Sequence, residues 1–192
     1  KKIRNLTINS DPATTTEVGL FGVIGASGNV KKLKLVNVHV TGGKSVGGLA
    51  GELESGGTIT DCSVDGWVEG VANVGGLVGL SLGEISDSTS TATVLASTVN
   101  AGGLVGGAST NALILDSKAK GPDTSNVGAG GLVGGTLGNA VIMTSYATGD
   151  VYAASEAGGL VGTLQAGTVS NCYATGDVQG TQQSVGGLIG KL

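Results

Sequence analysis

The sequence contains few of the side chains on which most enzymes and metal sites depend. Its 192 residues include one histidine, two cysteines, one tryptophan, one phenylalanine and three tyrosines. Zinc sites need about three or four Cys, His or carboxylate ligands held close together, so the widely separated Cys62, Cys172 and His39 predict no metal site. The aromatic residues are also too few to form the stacking platform that single-stranded nucleic acid requires.

Patterns typical of catalytic or cofactor-binding loops are incomplete in this chain. Gly79–Gly83 fits the GxSxG nucleophile elbow around Ser81, but that site needs a histidine base, and His39 lies in a different part of the sequence. Gly43–Ser45 ends like a phosphate-binding loop, but Val38 stands where the first glycine is required. The sequence therefore predicts no catalytic residue, no cofactor and no enzymatic activity here, a prediction that does not extend to a longer parent protein.

Glycine is abundant, and it recurs at a fixed period. It accounts for 38 of the 192 residues. The segment Ala157–Gly162 reads AGGLVG, and copies of it begin at residues 46, 74, 101, 129 and 185, with a degenerate copy at residue 18. These starts are spaced by 27 or 28 residues. A fixed period between about 20 and 50 residues is typical of solenoids and repeat arrays.

The second half of each repeat contains columns of similar residues. One column is apolar, one is mostly small, and a third is apolar or small, with polar positions between them, which is the spacing expected of a strand. The apolar column is Val30, Ile59, Ile85, Ile114, Ile142 and Val169, and the small column is Leu33, Cys62, Ser88, Ser117, Ser145 and Cys172. The third column is Leu35, Val64, Ser90, Ala119, Ala147 and Ala174. A polar column is Asp61, Asp87, Asp116, Thr144 and Asn171.

The GGLVG core followed by a segment such as NCYATGDV at 171–178 resembles the GLUG-motif repeat. The resemblance extends from about residue 3 to residue 190; it is best in 157–184 and poor after the core in 74–100 and 101–128. That family occurs in large secreted or surface proteins of bacteria, including adhesin-like proteins and IgA-specific metallopeptidases. The resemblance implies an accessory repeat region and no particular activity.

The repeats predict an all-β fold, a parallel β-solenoid with about 28 residues per coil and six to seven coils. Coils stacked at about 4.8 Å would form a rod roughly 30 Å long, and a right-handed winding is favoured. About three short strands per coil are expected: one at Gly-Leu-Val, one from the apolar column through the third column, and one around Val151 or Val178. Frequent glycine and β-branched residues disfavour helix.

The whole chain, residues 1–192, is expected to form a single array. Residues 1–18 would be a partial N-terminal coil and loop, and residues 185–192 would begin an incomplete coil, so a longer parent chain is expected. The uncharged stretch 127–149 is long enough to suggest a membrane helix, but other copies of this repeat carry charges, so no membrane insertion is predicted. The coils would start near residues 18, 46, 74, 101, 129 and 157.

The leucine of each GGLVG copy is predicted to belong to an inward-facing ladder. The next residue, such as Val133, should point the other way if the segment is a plain strand. Cys62 and Cys172 fall in one column about four coils apart, roughly 19 Å at strand spacing, and a disulfide needs Cα atoms within about 7 Å. Both should be free thiols. The ladder comprises Leu49, Leu77, Leu104, Leu132, Leu160 and Leu188.

Charge is unevenly distributed along the chain. Residues 1–45 carry a net charge of +5 and the remainder −9. A basic contact patch of Arg4, Lys31, Lys32 and Lys34 is therefore predicted, with Arg4 directly above Lys31, facing an acidic domain, an anionic surface polymer or solvent.

Ile3, Leu6 and Ile8 support that placement of Arg4, because they match the apolar residues of the next coil at an offset of 27. The stacked Asp61 and Asp87 would suit a calcium ladder, but their column is interrupted further along, so a solvated face is favoured.

Three classes of function remain open. The favoured one is a non-catalytic structural or adhesive module, either a rigid stalk or a binding surface, in a larger secreted or cell-surface bacterial protein. Its partners would be flanking domains of the same chain and a host or cell-surface glycan or protein, but not nucleic acid. The alternative is a carbohydrate-binding or carbohydrate-active β-helix. An ice-binding solenoid would need a regular threonine array, which Asp65 and Lys120 interrupt.

Overall fold

The computed structural model describes all residues, 1–192, and the chain winds into coils stacked along one axis. Its regular elements are all strands, and none is a helix long and apolar enough to cross a membrane. The strands pair in parallel in three sheets of 15, 7 and 6 strands, here named sheets A, B and C. The predicted parallel β-solenoid, with about 28 residues in each of about seven turns, is confirmed. The right-handed winding stays a prediction.

The strands are short, except for one long strand in most coils of sheet A. In the first half of the chain they are β1 (Lys2–Arg4), β2 (Thr7–Asn9), β3 (Thr16–Val18), β4 (Phe21–Ile24), β5 (Asn29–Lys31), β6 (Lys34–Thr41), β7 (Lys44–Gly47), β8 (Ala50–Leu53), β9 (Thr58–Thr60), β10 (Ser63–Gly75), β11 (Val78–Ser81), β12 (Glu84–Ser86), β13 (Thr89–Ser90) and β14 (Thr93–Gly102). In the second half they are β15 (Val105–Ala108), β16 (Leu113–Leu115), β17 (Lys118–Ala119), β18 (Asp123–Gly130), β19 (Val133–Thr136), β20 (Ala140–Met143), β21 (Tyr146–Ala147), β22 (Val151–Gly158), β23 (Val161–Leu164), β24 (Gly167–Ser170), β25 (Tyr173–Ala174), β26 (Val178–Gly180), β27 (Val185–Gly186) and β28 (Ile189–Lys191).

The predicted columns of similar residues are stacked in register. In sheet C, Ile114 pairs with the isoleucines of the coils on both sides, and in sheet A, Ala119 pairs with Ser90 and Ala147. The small column forms a chain of hydrogen bonds between coils: the Ser117 N–H donates to the Ser145 Oγ at 3.1 Å. Corresponding residues therefore lie one above another, which confirms these columns.

The apolar column and the third column lie on separate strands, although the sequence predicts one strand through both. Ile142 lies on β20 in sheet C, whereas Ala147 lies on β21 in sheet A. Between them Thr144 has a φ of 51°, and every coil turns at the equivalent position with a φ between 48° and 56°. Asn and Asp tolerate this left-handed backbone better than most residues do. The residues at this corner, here named the first corner, are Lys32, Asp61, Asp87, Asp116, Thr144 and Asn171.

A second left-handed corner lies just before each GGLVG segment. Its φ values range from 49° to 69°, and asparagine or glycine occupies it in the middle of the array. The two corners together set the cross-section of every coil, because each re-aims the strand that follows it. The residues of this second corner are Glu17, Ser45, Asn73, Asn100, Gly128, Glu156 and Ser184.

The Gly-Leu of each GGLVG segment is a bend between sheets A and B, so the strand predicted at Gly-Leu-Val begins only at the valine. β18 ends at Gly130 and β19 begins at Val133, with Leu132 in the bend. Leu132 and Val133 are both fully buried. A Cβ on Gly134 would lie 2.6 Å from the Gly106 carbonyl oxygen. The backbones of adjacent coils therefore approach too closely at this position for any side chain, which explains why it is glycine. The same close approach covers Leu132 and Val133.

Thirty-five buried residues form one hydrophobic cluster along the rod. Five leucines of the predicted ladder, Leu49, Leu77, Leu104, Leu132 and Leu160, have no exposed surface. Leu188 departs from the prediction, because 39% of its surface is exposed. It lies in the last coil of the structure, where no following coil covers it.

Candidate binding surface on sheet A

Sheet A presents the broadest outer face of the rod. Along β6, β10, β14, β18 and β22, side chains alternate between the core and solvent, as they do on any strand. Outward-facing residues two positions apart in sequence therefore form parallel columns on the surface. One such column is Thr41, Glu69, Leu95, Thr124, Tyr152 and Gln179, each in register with the next.

Two aromatic side chains are exposed on this face. Trp67 is 38% exposed, and its Nε1–H donates to Glu69 Oε2 at 3.1 Å, which fixes the orientation of the indole ring. Tyr152 is also 38% exposed and, with Thr124 and Gln179 beside it, lines a shallow hollow of about 240 Å³. A flat apolar ring beside hydroxyl and amide groups can contact a ligand that has both apolar faces and hydrogen-bonding edges.

A second aromatic feature lies on the narrow part of sheet A. Tyr146 and Tyr173 occupy the same column on successive coils, and their rings stack with centroids 4.8 Å apart and planes within 5° of parallel. Tyr173 is 52% exposed. The aromatic residues are scattered in the sequence, whereas Trp67, Tyr146, Tyr152 and Tyr173 all lie on sheet A. The alternation of apolar and polar residues around positions 67 and 152 is the sequence pattern that could have placed these side chains on the outer face of a strand.

The four predicted basic residues are all exposed, but they do not form the predicted arrangement. Arg4 pairs with Val36 rather than lying above Lys31, because the first coil is offset by 32 residues, with Ile3 opposite Leu35. Lys31 belongs to sheet C, where it pairs with Thr60. The first corner at Lys32 separates it from Lys34, which lies on sheet A beside Lys2. The basic residues therefore lie on two different sheets.

Ser81 and His39, the residues of the nucleophile-elbow pattern, lie on different sheets. Ser81 is fully buried on sheet B, and its hydroxyl donates to the Gly83 carbonyl oxygen at 3.4 Å. His39 is exposed on sheet A, where it pairs with Trp67. Cys62 and Cys172 are free thiols. Asp61, Asp87 and Asp116 are first-corner residues, and no group of three or more His, Cys, Asp or Glu side chains lies close enough to hold a metal ion.

Four segments of the chain, 42–69, 70–95, 125–152 and 153–179, match the model of the GLUG motif, and together they cover more than half of it. The chain belongs to the GLUG-motif family. The part of this GLUG array between the matches, 96–124, pairs in parallel with its neighbours in all three sheets, with one register shift between Ala96 and Val99.

Two known proteins resemble parts of the GLUG array. A stretch of 77 residues is 35% identical to halomucin of Haloquadratum walsbyi and covers 40% of the array but 1% of halomucin. A crystal structure of a candidate immunoglobulin A1 protease from Bacteroides ovatus superposes with a TM-score of 0.68 at 19% identity. It covers 90% of the array, which spans 57% of that chain. This second likeness shows a shared fold.

Proposed function

We propose that this GLUG array is a rigid, non-catalytic module of a larger secreted or cell-surface bacterial protein, in which it serves as a stalk and an adhesive surface. The observation that carries the proposal is the continuous parallel pairing of every coil with the next, with a hydrophobic cluster of 35 residues beneath it. Seven strands of sheet B, each about 4.8 Å from the next, span about 29 Å of rod. Such a body holds flanking domains apart and offers long, flat faces to a partner.

The two relatives support the place of the array in a larger protein. Halomucin contains a similar stretch within a chain of which that stretch is 1%, and the Bacteroides ovatus chain extends well beyond the part that superposes. Flanking domains of the same chain are therefore the first partners of the array, and a host or cell-surface glycan or protein is the second.

Two observations support a non-catalytic role. The Ser81 hydroxyl is buried and bonded to a backbone carbonyl oxygen, so a substrate has no access to it. His39 is on another sheet and in another coil, whereas a nucleophile and its base must lie within hydrogen-bonding reach. Turnover of a peptide or glycan substrate by the purified array, abolished by Ser81→Ala, would contradict the proposal.

Stiffness is tested by a distance between two spin labels. Thr41→Cys and Gln179→Cys place labels in one outward column five coils apart, about 24 Å along the axis, in a background where Cys62 and Cys172 are replaced by serine. Pulsed electron resonance should give one narrow distance distribution. A broad distribution would show a flexible chain and contradict the stalk.

Glycan binding is the second candidate function, and the exposed Trp67 and Tyr152 favour it. A sugar ring has an apolar face that packs on an aromatic ring and hydroxyl groups that bond to side chains such as Thr124 and Gln179. On a glycan array, a ligand bound by the parent should lose about tenfold or more in affinity when either aromatic residue becomes alanine. Lys118→Ala, on the narrow part of sheet A, is the matched control. Equal binding by all variants would exclude this face as the binding site.

A further inference from the structure

One acidic side chain occupies a position that is valine in the neighbouring coils. Asp123 begins β18, and in sheet A it pairs with Val94 on one side and Val151 on the other. Its side chain has no exposed surface, and neither carboxyl oxygen has a hydrogen-bond partner. A polar group is rarely buried without a partner, because burial then costs free energy that no contact returns.

The surroundings of the Asp123 carboxyl are apolar. Asp123 Oδ2 lies 3.2 Å from the position that a Cβ on Gly103 would take, and the Ala119 methyl group packs against the same position. The Gly103 N–H donates instead to the Gly130 carbonyl oxygen at 3.3 Å. Nothing in this contact shell supplies a counter-ion or a side-chain donor.

No charged side chain faces Asp123 from the packed elements. The inward residues around it are Val94 and Ala96 on β14, Ala119 on β17, and Val151 and Ala153 on β22, and none of them titrates. The nearest charged residues along these elements, Lys118, Lys120, Asp150 and Glu156, retain exposed surface, and the one ion pair of the structure joins Glu156 to Lys191.

Burial has two consequences for this coil. It raises the pKa of the Asp123 carboxyl well above its usual range, and the nearby N–H of Gly103, which is bonded to the Gly130 carbonyl oxygen, lowers that pKa only in part. It also breaks one column of the core, although the leucine ladder continues past this coil: Val94 belongs to the cluster of 35 residues, whereas Val151 belongs to a separate cluster with Ala129, Ala153 and Ala157. Asp123 lies in the column between the two.

We propose that Asp123 is a pH-sensitive joint in the middle of the rod. The joint is closed when the carboxyl is protonated and neutral inside the core. It opens when the carboxyl loses its proton, because an unpaired carboxylate is far more stable in water than beside Val94 and Val151. The inference goes beyond the stalk role, since a rod needs no titratable group in its core.

The direction of the pH effect follows from the linkage between protonation and opening. Below about pH 3.9, the usual pKa of an aspartate, the closed and open states are both protonated, and the joint has its full stability. As the pH rises above that value, the open state loses its proton first and is favoured. The loss of stability continues until the pH reaches the raised pKa of the closed state. Acid therefore tightens the joint, and each pH unit in this window raises the open population up to tenfold.

The test measures opening around β18 by amide hydrogen exchange in the full chain. The parent, Asp123→Val and Asp123→Asn are compared at the same pH, from pH 4 to pH 8, so that the intrinsic exchange rates cancel. The ratio of exchange in the parent to exchange in Asp123→Val should rise up to tenfold per pH unit in strands β14, β18 and β22. Asp123→Asn should show no such rise. Asp150→Asn, which changes an exposed carboxyl nearby, should match the parent at every pH.

A carbon-13 titration of the carboxyl groups gives an independent result. In the folded parent at pH 5, the Asp123 carboxyl should be protonated. An ionised Asp123 in the folded protein at pH 5 would overturn the proposal. So would an exchange ratio of parent to Asp123→Val that stayed constant with pH, or an Asp123→Val variant that kept the parent's pH dependence.

Discussion

The adjacent repeats 96–124 and 125–152 have the same structure, although only the second matches the GLUG motif. Leu104 and Leu132 are both fully buried, and the left-handed first corner has a φ of 48° at Asp116 and 51° at Thr144. Sheet A continues in parallel through both repeats, with one register shift between Ala96 and Val99. The glycine bend and the two corners therefore determine the shape of a coil. The Tyr-Ala-Thr-Gly sequence of the second repeat is not required for that shape.

The two repeats differ in which of their positions fit the fold poorly. The unmatched repeat has Asp116 at the first corner, where aspartate is favourable, but it places the charged residue type Asp123 in a buried column. The matched repeat has Val151 in that column, but it has the β-branched Thr144 at a corner where such a residue is strained. Each repeat thus has one position that fits the fold poorly, whether or not it matches the family model.

The largest expected effect tests whether the two repeats depend equally on the leucine ladder. Leu104→Asp and Leu132→Asp should each cost more than about 4 kcal/mol, because a buried leucine is lost and an unpaired charge enters the core. Chemical denaturation should then show an early partial transition, since neighbouring coils depend on each other. If one variant were as stable as the parent, the two repeats would not share a core.

The next effect tests the close approach of backbones at the bend. Gly106→Ala and Gly134→Ala should each destabilise the rod by about 1–3 kcal/mol, because the new methyl group meets backbone atoms that must move. Gly187 has no atom within 4 Å of its Cβ position. Gly187→Ala, the matched control, should therefore lie within about 0.5 kcal/mol of the parent in thermal unfolding. Equal costs for all three variants would contradict the packing argument.

A smaller effect of opposite sign is expected at the first corner. Thr144→Asn should stabilise the protein by about 0.5–1 kcal/mol, since asparagine adopts positive φ more readily than threonine does. Asp116→Thr, which places threonine at the same corner of the unmatched repeat, should destabilise the protein by a similar amount. The midpoints of urea unfolding measure both. A destabilised Thr144→Asn would mean that the threonine makes contacts that outweigh its backbone strain.

The smallest effect serves as a baseline for the others. Lys118 is a partly exposed residue of sheet A in register with Thr89 and Tyr146. Lys118→Asp should leave the free energy of unfolding within about 0.5 kcal/mol of the parent value, because no packed or bonded group is lost. A larger change, measured by the same denaturation experiment, would show that the outer columns contribute to stability.

The sequence predicted the coil period, the stacked columns and five buried leucines, because each depends on residue type at a fixed spacing. It did not predict the corners. Asp61 and Asp87 are exposed, as the favoured prediction of a solvated face expects. Their left-handed backbone conformation, which no polarity pattern reveals, was not predicted. The offset of Ile3 was also missed, since the first coil lacks the glycine bend that aligns the others.

The surface could be predicted less well than the core. Trp67 and Tyr152 are 85 positions apart in the sequence, and only the register of the long strands brings them onto one face. Asp123 had no distinguishing sequence pattern, because the alternation that places it inside also runs through a polar stretch. Its importance depends on burial and on missing partners, which are properties of the folded chain.

The parallel stacking of similar coils has a consequence for how such a chain can lengthen. Each coil is related to the next by a translation of about 4.8 Å along the axis. Differences in repeat length are absorbed where the register of sheet A shifts, between Val64 and Gly66, between Gly70 and Ala72, and between Ala96 and Val99. Duplication of one repeat in the gene would therefore add a coil without requiring a new kind of contact. The length of the rod can therefore change in evolution in steps of one coil.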